Sequence, residues 1–539
     1  MADQPRPAKW VPAATPRLHA LARQGRVHVV WTAATDRVLA VGLATAALAA
    51  DLLRLPGTSL WGDELFSVQL VSQPWPLFWS FMSQYEPNMA LYYLVLRGWL
   101  AATGSFGLTP DELLVRVPSV FFAVLGVVVV FWIGRRFCGR TVGVVGAVLY
   151  LLNFIELTKA REARSYSLEM FLLCLSWYAL LAALSGEQNR RRSWLGYVLA
   201  MTLAIYAHVF SALILASQLV AFAALLVLPN EWRERARRSV RPMAISLAVI
   251  CIAVMPIVVY FAGHGSTNPW LPPANAVAFI RLLWNTAGHD VIYGSLLGAA
   301  AITAVVFVIR DRSRTVRSRA PLPIAPAVTL GCWLCFPVAV SYAVTQPYLN
   351  LHLFAWGYLV VVVPALCLLV AVGIARLPWS RVRIGAAVSL VVAAAFATPV
   401  YSSLPSQDFR TASRWIAERY QAGDGLVSTT WSSTLAMDYY TRIGAVPNAV
   451  IADAPSRSDW IVFGERPLDQ RAVAAYAAAR SRVFLLSSLQ DGDSALMKEQ
   501  VPLLESIFDA TYLLVGDVIV PSGNGAIRVR LYATGSAAQ

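Results

Sequence analysis

The sequence predicts a polytopic α-helical membrane domain with about eleven spanning helices, followed by a small α/β domain. Three observations lead there. Of 539 residues, 58% are hydrophobic and 14% charged, against about 25% charged in a soluble domain. Apolar runs close to the ~20 residues that cross a bilayer recur as far as Val400. Arginines gather in alternate short loops between those runs, as they do on the cytoplasmic side of membrane proteins.

The elements follow in order. Arg6, Lys9, Arg17, Arg23, Arg26 and Arg37 make residues 1–37 a basic, cytoplasmic N-terminus. It has no cleavable apolar core, so the first apolar run, about 38–55, is expected to stay as an anchor. Residues 56–116 then form a long outer loop. Its aromatic density (Trp61, Phe66, Trp75, Phe78, Trp79, Phe81, Tyr85) fits helices lying in the membrane interface, and Leu91–Leu100 is too short for a span. Spans of about 117–134 and 141–157 flank Arg135, Arg136 and Arg140. A span of about 165–184 returns to Arg190–Arg192, and 194–228 reads as a helix pair turning near His208. Spans of about 243–261, 290–309, 323–344, 354–375 and 384–400 complete the set. Every arginine-rich loop then falls on one side, with the N-terminus inside and the C-terminus outside.

The division is therefore residues 1–37, a transmembrane domain over 38–403, and an extracytoplasmic domain over 404–539. In the last, Asp408–Gln421 reads as an amphipathic helix. Residues 426–429, 460–464 and 483–487 read as short strands, and 511–520 with 526–533 as a hairpin across Pro-Ser-Gly-Asn-Gly. No phosphate-cradling nucleotide loop occurs; Gly423-Asp424-Gly425 reads as a turn. The net charge of +14 sits in the membrane domain, because Leu404 onward carries 12 basic and 14 acidic residues. Orientation and anionic headgroups account for it better than nucleic acid does. All six cysteines lie in or beside apolar runs, so Cys332-x-x-Cys335 reads as packing rather than a metal pair.

The chemistry concentrates in two stretches. Trp61-Gly62-Asp63-Glu64 places two carboxylates beside hydrocarbon, either as a solvated pair or as an acid/base centre at the membrane surface. The turn 156–166 holds Lys159, Arg161 and Arg164 among acids. Those three are either ion-paired structurally or form a basic cup for a lipid-anchored phosphate. A helix through 162–170 would put Glu162, Tyr166 and Glu169 on one face. His208 lies in an apolar stretch that suits packing or hydrogen bonding. His264, His289 and His352 lack metal-ligand spacing, and no catalytic zinc is expected.

A series of motifs comes in a recognisable order. They are Trp61-Gly-Asp63-Glu64, Glu86-Pro-Asn88-Met-Ala-Leu91-Tyr92-Tyr93, Arg116-Val-Pro118-Ser, Gly134-Arg135-Arg136, Glu162-Ala-Arg164-Ser-Tyr166 and Asp408-Phe-Arg410-Thr-Ala-Ser. The chain resembles the polytopic GT-C glycosyltransferases, in particular the family 39-like group with protein O-mannosyltransferases and aminoarabinose transferases. The resemblance covers the first 215 residues well and the later spans loosely. It implies a polyprenyl-phosphate sugar donor, an outward-facing site and a bacterial plasma membrane. It implies Asp63 as the catalytic carboxylate and Glu64 as its orienting or neutralising neighbour. Glu86 and Asn88 would match the polar pair before Leu-Tyr-Tyr, Tyr92 of that stretch joins the donor- and acceptor-binding candidates, and Glu162, Arg164 and Tyr166 would match the donor head-group motif. Lys159, Arg161, His208 and His352 join the donor- and acceptor-binding candidates. Family members often carry Arg-Tyr about seven residues before a proline in a late span; here, before Pro364, the pair is Gly357-Tyr358. The nearest basic residue is His352; phosphate binding would then rest more on Lys159, Arg161 and Arg164, or the donor would differ, or the chain would be a pseudo-enzyme.

The chemistry suits this reading. A polyprenyl phosphate is already a good leaving group, so no obligatory cofactor is expected, and a divalent cation is left open. The acceptor hydroxyl needs a base in line with the anomeric carbon, and guanidinium groups would stabilise the departing phosphate. Two other classes are a transporter or flippase of a lipid-linked glycan and a non-catalytic envelope scaffold. Glu169 is the acid that falls inside a span, where a transporter would be expected to hold several polar groups.

Overall fold

A computed structural model describes residues 16–53, 55, 58–186, 190–264, 274–313, 324–349, 352–397, 406–446, 460–462, 468–490, 495–523 and 525–535. The basic residues Arg6 and Lys9 and the Pro-rich stretch around Pro272 lie outside them.

The first helix, α1 (Pro16–Leu52), begins well before the expected span. Its buried Asp36 accepts from Arg135 Nε and Arg140 Nε, both at 2.8 Å, tying α1 to the turn between the next two long helices. Three short helices follow in the loop: α2 (Gly62–Val71), α3 (Trp75–Gln84) and α4 (Ala90–Ser105). Pro74-Trp75-Pro76 separates α2 from α3, since proline suits a helix start and not an interior. On α3, Trp75, Leu77 and Trp79 remain exposed, while Arg97 of α4 lies 4.9 Å from the Trp75 and Phe78 rings. That is an interfacial helix's pattern.

The bundle continues with α5 (Val117–Ile133), α6 (Arg140–Leu151), α7 (Phe154–Ala160), α8 (Tyr166–Ser185), α9 (Arg190–Ala207) and α10 (Ser211–Val227). Then come α11 (Arg233–Arg238), α12 (Val240–Ala253), α13 (Met255–His264), α14 (Ala276–Thr286), α15 (Val291–Ser313), α16 (Ile324–Val344), α17 (Val363–Arg376) and α18 (Ser380–Ala397). Among the described residues, five helices are long and apolar enough to cross a membrane, or eight if each of three bent pairs counts as one. The expected continuous spans 141–157 and 243–261 are each broken. α6 and α7 meet at 61° and α12 and α13 at 56°. Asn153 makes the first break: its side chain accepts from Ile155 N at 3.0 Å and caps α7. Where one helix was expected over 354–375, a 3₁₀ turn at Leu359–Val362 precedes α17.

Small residues let the central helices approach closely. A Cβ on Gly143 would sit 2.7 Å from Arg135 N, and one on Gly146 2.9 Å from Leu368. These glycines seat α6 between α5 and α17, the packing mode of helices that gain little from burying apolar surface against one another. Trp177 of α8 stacks on Trp333 of α16 at 5.1 Å.

The C-terminal domain is a five-stranded sheet in the order β2-β1-β3-β5-β4. Its strands are β1 (Gly425–Ser428), β2 (Trp460–Val462), β3 (Arg482–Gln490), β4 (Leu513–Ser522) and β5 (Gly525–Ala533). β1 runs parallel to β2 and β3, and β5 antiparallel to β3 and β4. Alternation along β3 builds two cores. Phe484 and Leu486 pack with Phe409, Ala412 and Ile416 of α19 (Phe409–Ala417) and with Met437 and Tyr440 of α20 (Ser432–Arg442). Val483 and Leu485 pack on the other face with Val473 of α21 (Gln470–Ala478) and Phe508 of α22 (Ala495–Asp509). The helix expected over 408–421 is shorter, with Asp408 as its cap accepting from Thr411 N at 3.1 Å. The first core also takes in Leu60, Leu65, Val68 and Val115, so this domain and the loop carrying α2 share one apolar interior.

Candidate active site

The site begins at α2. Asp63 and Glu64 lie in its first turn, where carboxylates favour the helix dipole. Their environments diverge completely. The Glu64 side chain is 0% exposed, and its two oxygens receive four donors. Oε1 accepts from Arg116 Nε at 2.7 Å and Ala163 N at 2.8 Å; Oε2 accepts from Arg116 Nη2 at 2.6 Å and Trp61 N at 3.2 Å. Arg116 also donates to Thr58 O and Ser59 O, at 2.9 and 3.1 Å. Glu64 therefore ties the helix start, the loop before it and the turn at Ala163 into one unit. A carboxylate so engaged positions its surroundings and has no lone pair left to serve as a base.

Asp63 is 38% exposed and faces Arg164, whose Nη2 is 3.4 Å from Asp63 Oδ2. Arg164 is nearly buried. Its Nη1 donates to Ser67 Oγ and Tyr93 Oη, both at 3.4 Å, and its Nε has no hydrogen-bond partner among the described residues. Burial opposes the Arg164 charge, and Asp63, Tyr93 and Glu86 outweigh it, leaving its pKa above the ordinary value. Glu86 starts the 3₁₀ turn Pro87–Met89. Burial raises its pKa above the ordinary carboxylate range, Arg164 counteracts this and Asp63 adds to it.

The second positive group is Lys159, at the end of α7. Its Nζ donates to Glu162 Oε1 and Oε2 at 3.0 and 2.9 Å, and lies 4.4 Å from the Tyr166 ring and 5.1 Å from the Trp356 ring. A Cβ on Gly357 would stand 3.9 Å from Nζ. The lysine thus lies against the backbone at Gly357. Burial raises the Glu162 pKa, and Lys159 opposes that shift.

One expectation is corrected here. No helix runs through 162–170: α8 begins at Tyr166, and residues 161–165 form a turn. Glu162 therefore pairs with Lys159 instead of stacking with Tyr166 and Glu169. The turn frees the Ala163 N–H for Glu64, a donor a continuing helix would have used internally.

The remaining candidates divide. His208, at the turn between α9 and α10, packs its ring against Tyr166 and Tyr358 at 5.8 and 5.2 Å. Its Nδ1 accepts from Phe210 N at 3.2 Å, and Nε2 has no partner among the described residues. Asn88 Oδ1 accepts from Val209 N at 3.0 Å, fixing that turn. Tyr92 is fully buried and bonds Ser119 Oγ at 2.9 Å, so it is held in the core and not at an open surface. Arg161 stands in the field of Asp51 and Glu156, so the basic cup expected from Lys159, Arg161 and Arg164 is divided. His352 takes a left-handed backbone (φ 45°), and no described interaction joins it to the other candidates. Glu169 accepts from Ser211 Oγ at 2.8 Å. The sequence reading missed Ser67 and Trp356, which are ordinary helix and loop residues until the fold converges them; Tyr93 and Tyr358 stood in its motifs without a role. Among the described residues no group of three or more His, Cys, Asp or Glu could hold a metal ion.

Residues 95–261 match the family model described as dolichyl-phosphate-mannose-protein mannosyltransferase. Among curated proteins no sequence matches this chain. Solved structures do. Apo ArnT from Cupriavidus metallidurans aligns with a TM-score of 0.55 at 14% identity, over 92% of this chain and 98% of that one. The same protein bound to undecaprenyl phosphate gives 0.52 at 12%, over 91% and 97%. The Archaeoglobus fulgidus oligosaccharyltransferase tethered to an acceptor peptide gives 0.51 at 13%, over 93% and 74%. At such identities the likeness is one of fold, and the chain has the fold of the GT-C glycosyltransferase superfamily.

Proposed function

We propose that the protein transfers a sugar from a polyprenyl-phosphate donor to an acceptor hydroxyl of the cell envelope, at the outer face of a bacterial plasma membrane. The observation that carries this reading is the pairing of Asp63, a half-open carboxylate, with Arg164, a nearly buried guanidinium whose Nε lacks a partner among the described residues. A buried cation with a donor to spare suits an anionic ligand. The match to the mannosyltransferase family model and the undecaprenyl phosphate held by the ArnT neighbour support the donor class.

In this mechanism Asp63 accepts the proton of the acceptor hydroxyl, whose oxygen attacks the anomeric carbon. The bond from that carbon to the phosphate oxygen breaks, and its electron pair leaves on the phosphate. Arg164 and Lys159 stabilise the departing charge, and Lys159 takes the part of the arginine absent at Gly357. Attack opposite the leaving group inverts the anomeric centre. Glu64 holds the Asp63 turn against Arg116 and Ala163. The products are the glycoside and polyprenyl phosphate.

The test is Asp63→Asn in purified protein, with transfer from polyprenyl-phosphate-linked mannose and aminoarabinose followed by mass spectrometry. Transfer should fall at least ~100-fold, the lower range for loss of a general base. Undecaprenyl phosphate should still bind. Full transfer by the variant would remove Asp63 from the role of base.

A further inference from the structure

The C-terminal domain brings one aromatic side chain to this site. Trp431 follows β1 and starts α20, and the residue is 44% exposed. It stands edge-to-face with Phe66, with centroids 6.0 Å apart. Phe66 lies one turn beyond Asp63 on α2 and contacts the Tyr93 ring at 6.5 Å, and Tyr93 Oη receives Arg164. Two rings, Phe66 and Tyr93, thus link Trp431 to Arg164, the group that faces Asp63.

Its exposure is built in. The loop that presents it is fixed by hydroxyl groups. Ser433 Oγ bonds Ser428 Oγ at 2.7 Å and Thr430 O at 2.8 Å, Thr430 N donates to Ser428 Oγ at 3.2 Å, and Ser488 N donates to Thr429 Oγ1 at 3.0 Å. The next residue, Ser432, meets α2: its Oγ occupies the space a Cβ on Gly62 would need. The neighbouring aromatics Tyr439 and Tyr440 are buried, so the domain hides its other rings here and keeps this indole in the open. A rigid, flat, half-open ring beside an accessible carboxylate suits a ligand with an apolar C–H face and hydroxyl edges. A sugar ring has both: its face packs on indole, and an adjacent hydroxyl reaches the carboxylate.

We propose that Trp431 and Phe66 form an acceptor subsite beside Asp63, and that the acceptor held there is a carbohydrate. This rests on the glycosyltransferase reading above and names the acceptor class within it. Trp431 is a specificity-determining residue, outside the proton- and phosphate-handling groups.

The experiment uses full-length protein in detergent micelles and two soluble probes, a linear mannohexaose and a linear arabinofuranohexaose, with a Ser/Thr-rich decapeptide for comparison. Saturation-transfer NMR and calorimetry read binding to wild type, Trp431→Ala and Trp431→Phe. At least one oligosaccharide should bind wild type; Trp431→Ala should weaken it about tenfold, and Trp431→Phe should stay within about threefold. Undecaprenyl phosphate should bind all three proteins equally, which shows the variants folded and the donor reading intact. The proposal is overturned if neither oligosaccharide binds wild type, if Trp431→Ala binds as well as wild type, or if the decapeptide displaces the sugar. Loss of undecaprenyl phosphate binding by wild type would instead strike the glycosyltransferase reading.

Discussion

Replacing Arg116 by Met should unseat the loop that carries Asp63. Arg116 gives Glu64 two of its four donors, at 2.7 and 2.6 Å, and both side chains are within 4% of full burial. The variant leaves a carboxylate sealed from water with only two backbone N–H partners, Ala163 and Trp61. Removing one partner of a buried pair costs about 3–5 kcal/mol. It also strands the carbonyls of Thr58 and Ser59, which Arg116 holds. The double variant Arg116→Met/Glu64→Leu removes both charges and should cost well under the sum of the single changes. The assay is thermal unfolding of purified protein in detergent. Arg238→Ala serves as control, since its ion pair with Glu234 is open to water (72% exposed at the arginine) and contributes at most about 0.5 kcal/mol. Arg116→Met should melt far below that control and transfer sugar poorly. An Arg116→Met midpoint level with Arg238→Ala would refute the clamp.

Three further outcomes follow from the site and its packing. Lys159→Gln should weaken undecaprenyl phosphate about tenfold, a typical loss for one charge-assisted hydrogen bond. Because Gly357 adjoins the Lys159 ammonium, Gly357→Arg should restore part of that affinity in the Lys159→Gln protein. Burial raises the Glu86 pKa, so its proton is taken up at higher pH than by an ordinary carboxylate, and the competitor for Arg164 is lost as pH falls through that raised value. Donor affinity should then rise more steeply towards acid in wild type than in Glu86→Gln, by calorimetry at stepped pH. Gly143→Ala should lower the thermal midpoint by the equivalent of about 1–3 kcal/mol, because its new methyl meets backbone at Arg135.

Much of the fold was legible because charge and apolar length are local signals. The strands of the C-terminal domain begin and end within a few residues of the turn and β-branched patterns that announce them. The breaks were harder. Asn153 interrupts an apolar run whose composition suits one straight span, and only a side chain turned back onto the backbone splits it. In the site, the sequence pairs Asp63 with Glu64 as neighbours, yet successive residues on a helix point about 100° apart. That rotation sends Glu64 into the protein and leaves Asp63 part-exposed beside Arg164. The partners that decide their roles, Arg116, Ala163 and Arg164, lie far along the chain. Arg161 shows the reverse: clustered with Lys159 and Arg164 in sequence, it stands in the field of Asp51 and Glu156.

The loop carrying Asp63 leans on residues translated long after it. Gly62 N donates to Gln407 Oε1, 345 positions later, and Leu60 N to Tyr440 Oη, 380 positions later. At about 5–20 residues per second, roughly 20–70 s separate the synthesis of the loop from that of its supports. Through that interval α2 has no Gln407, Tyr440 or Trp431 beside it. Any ribosome that stalls before Gln407, or any protease that cuts there, leaves a loop without these two hydrogen bonds. The setting of this loop is therefore a late event, completed only when Gln407 and Tyr440 reach it.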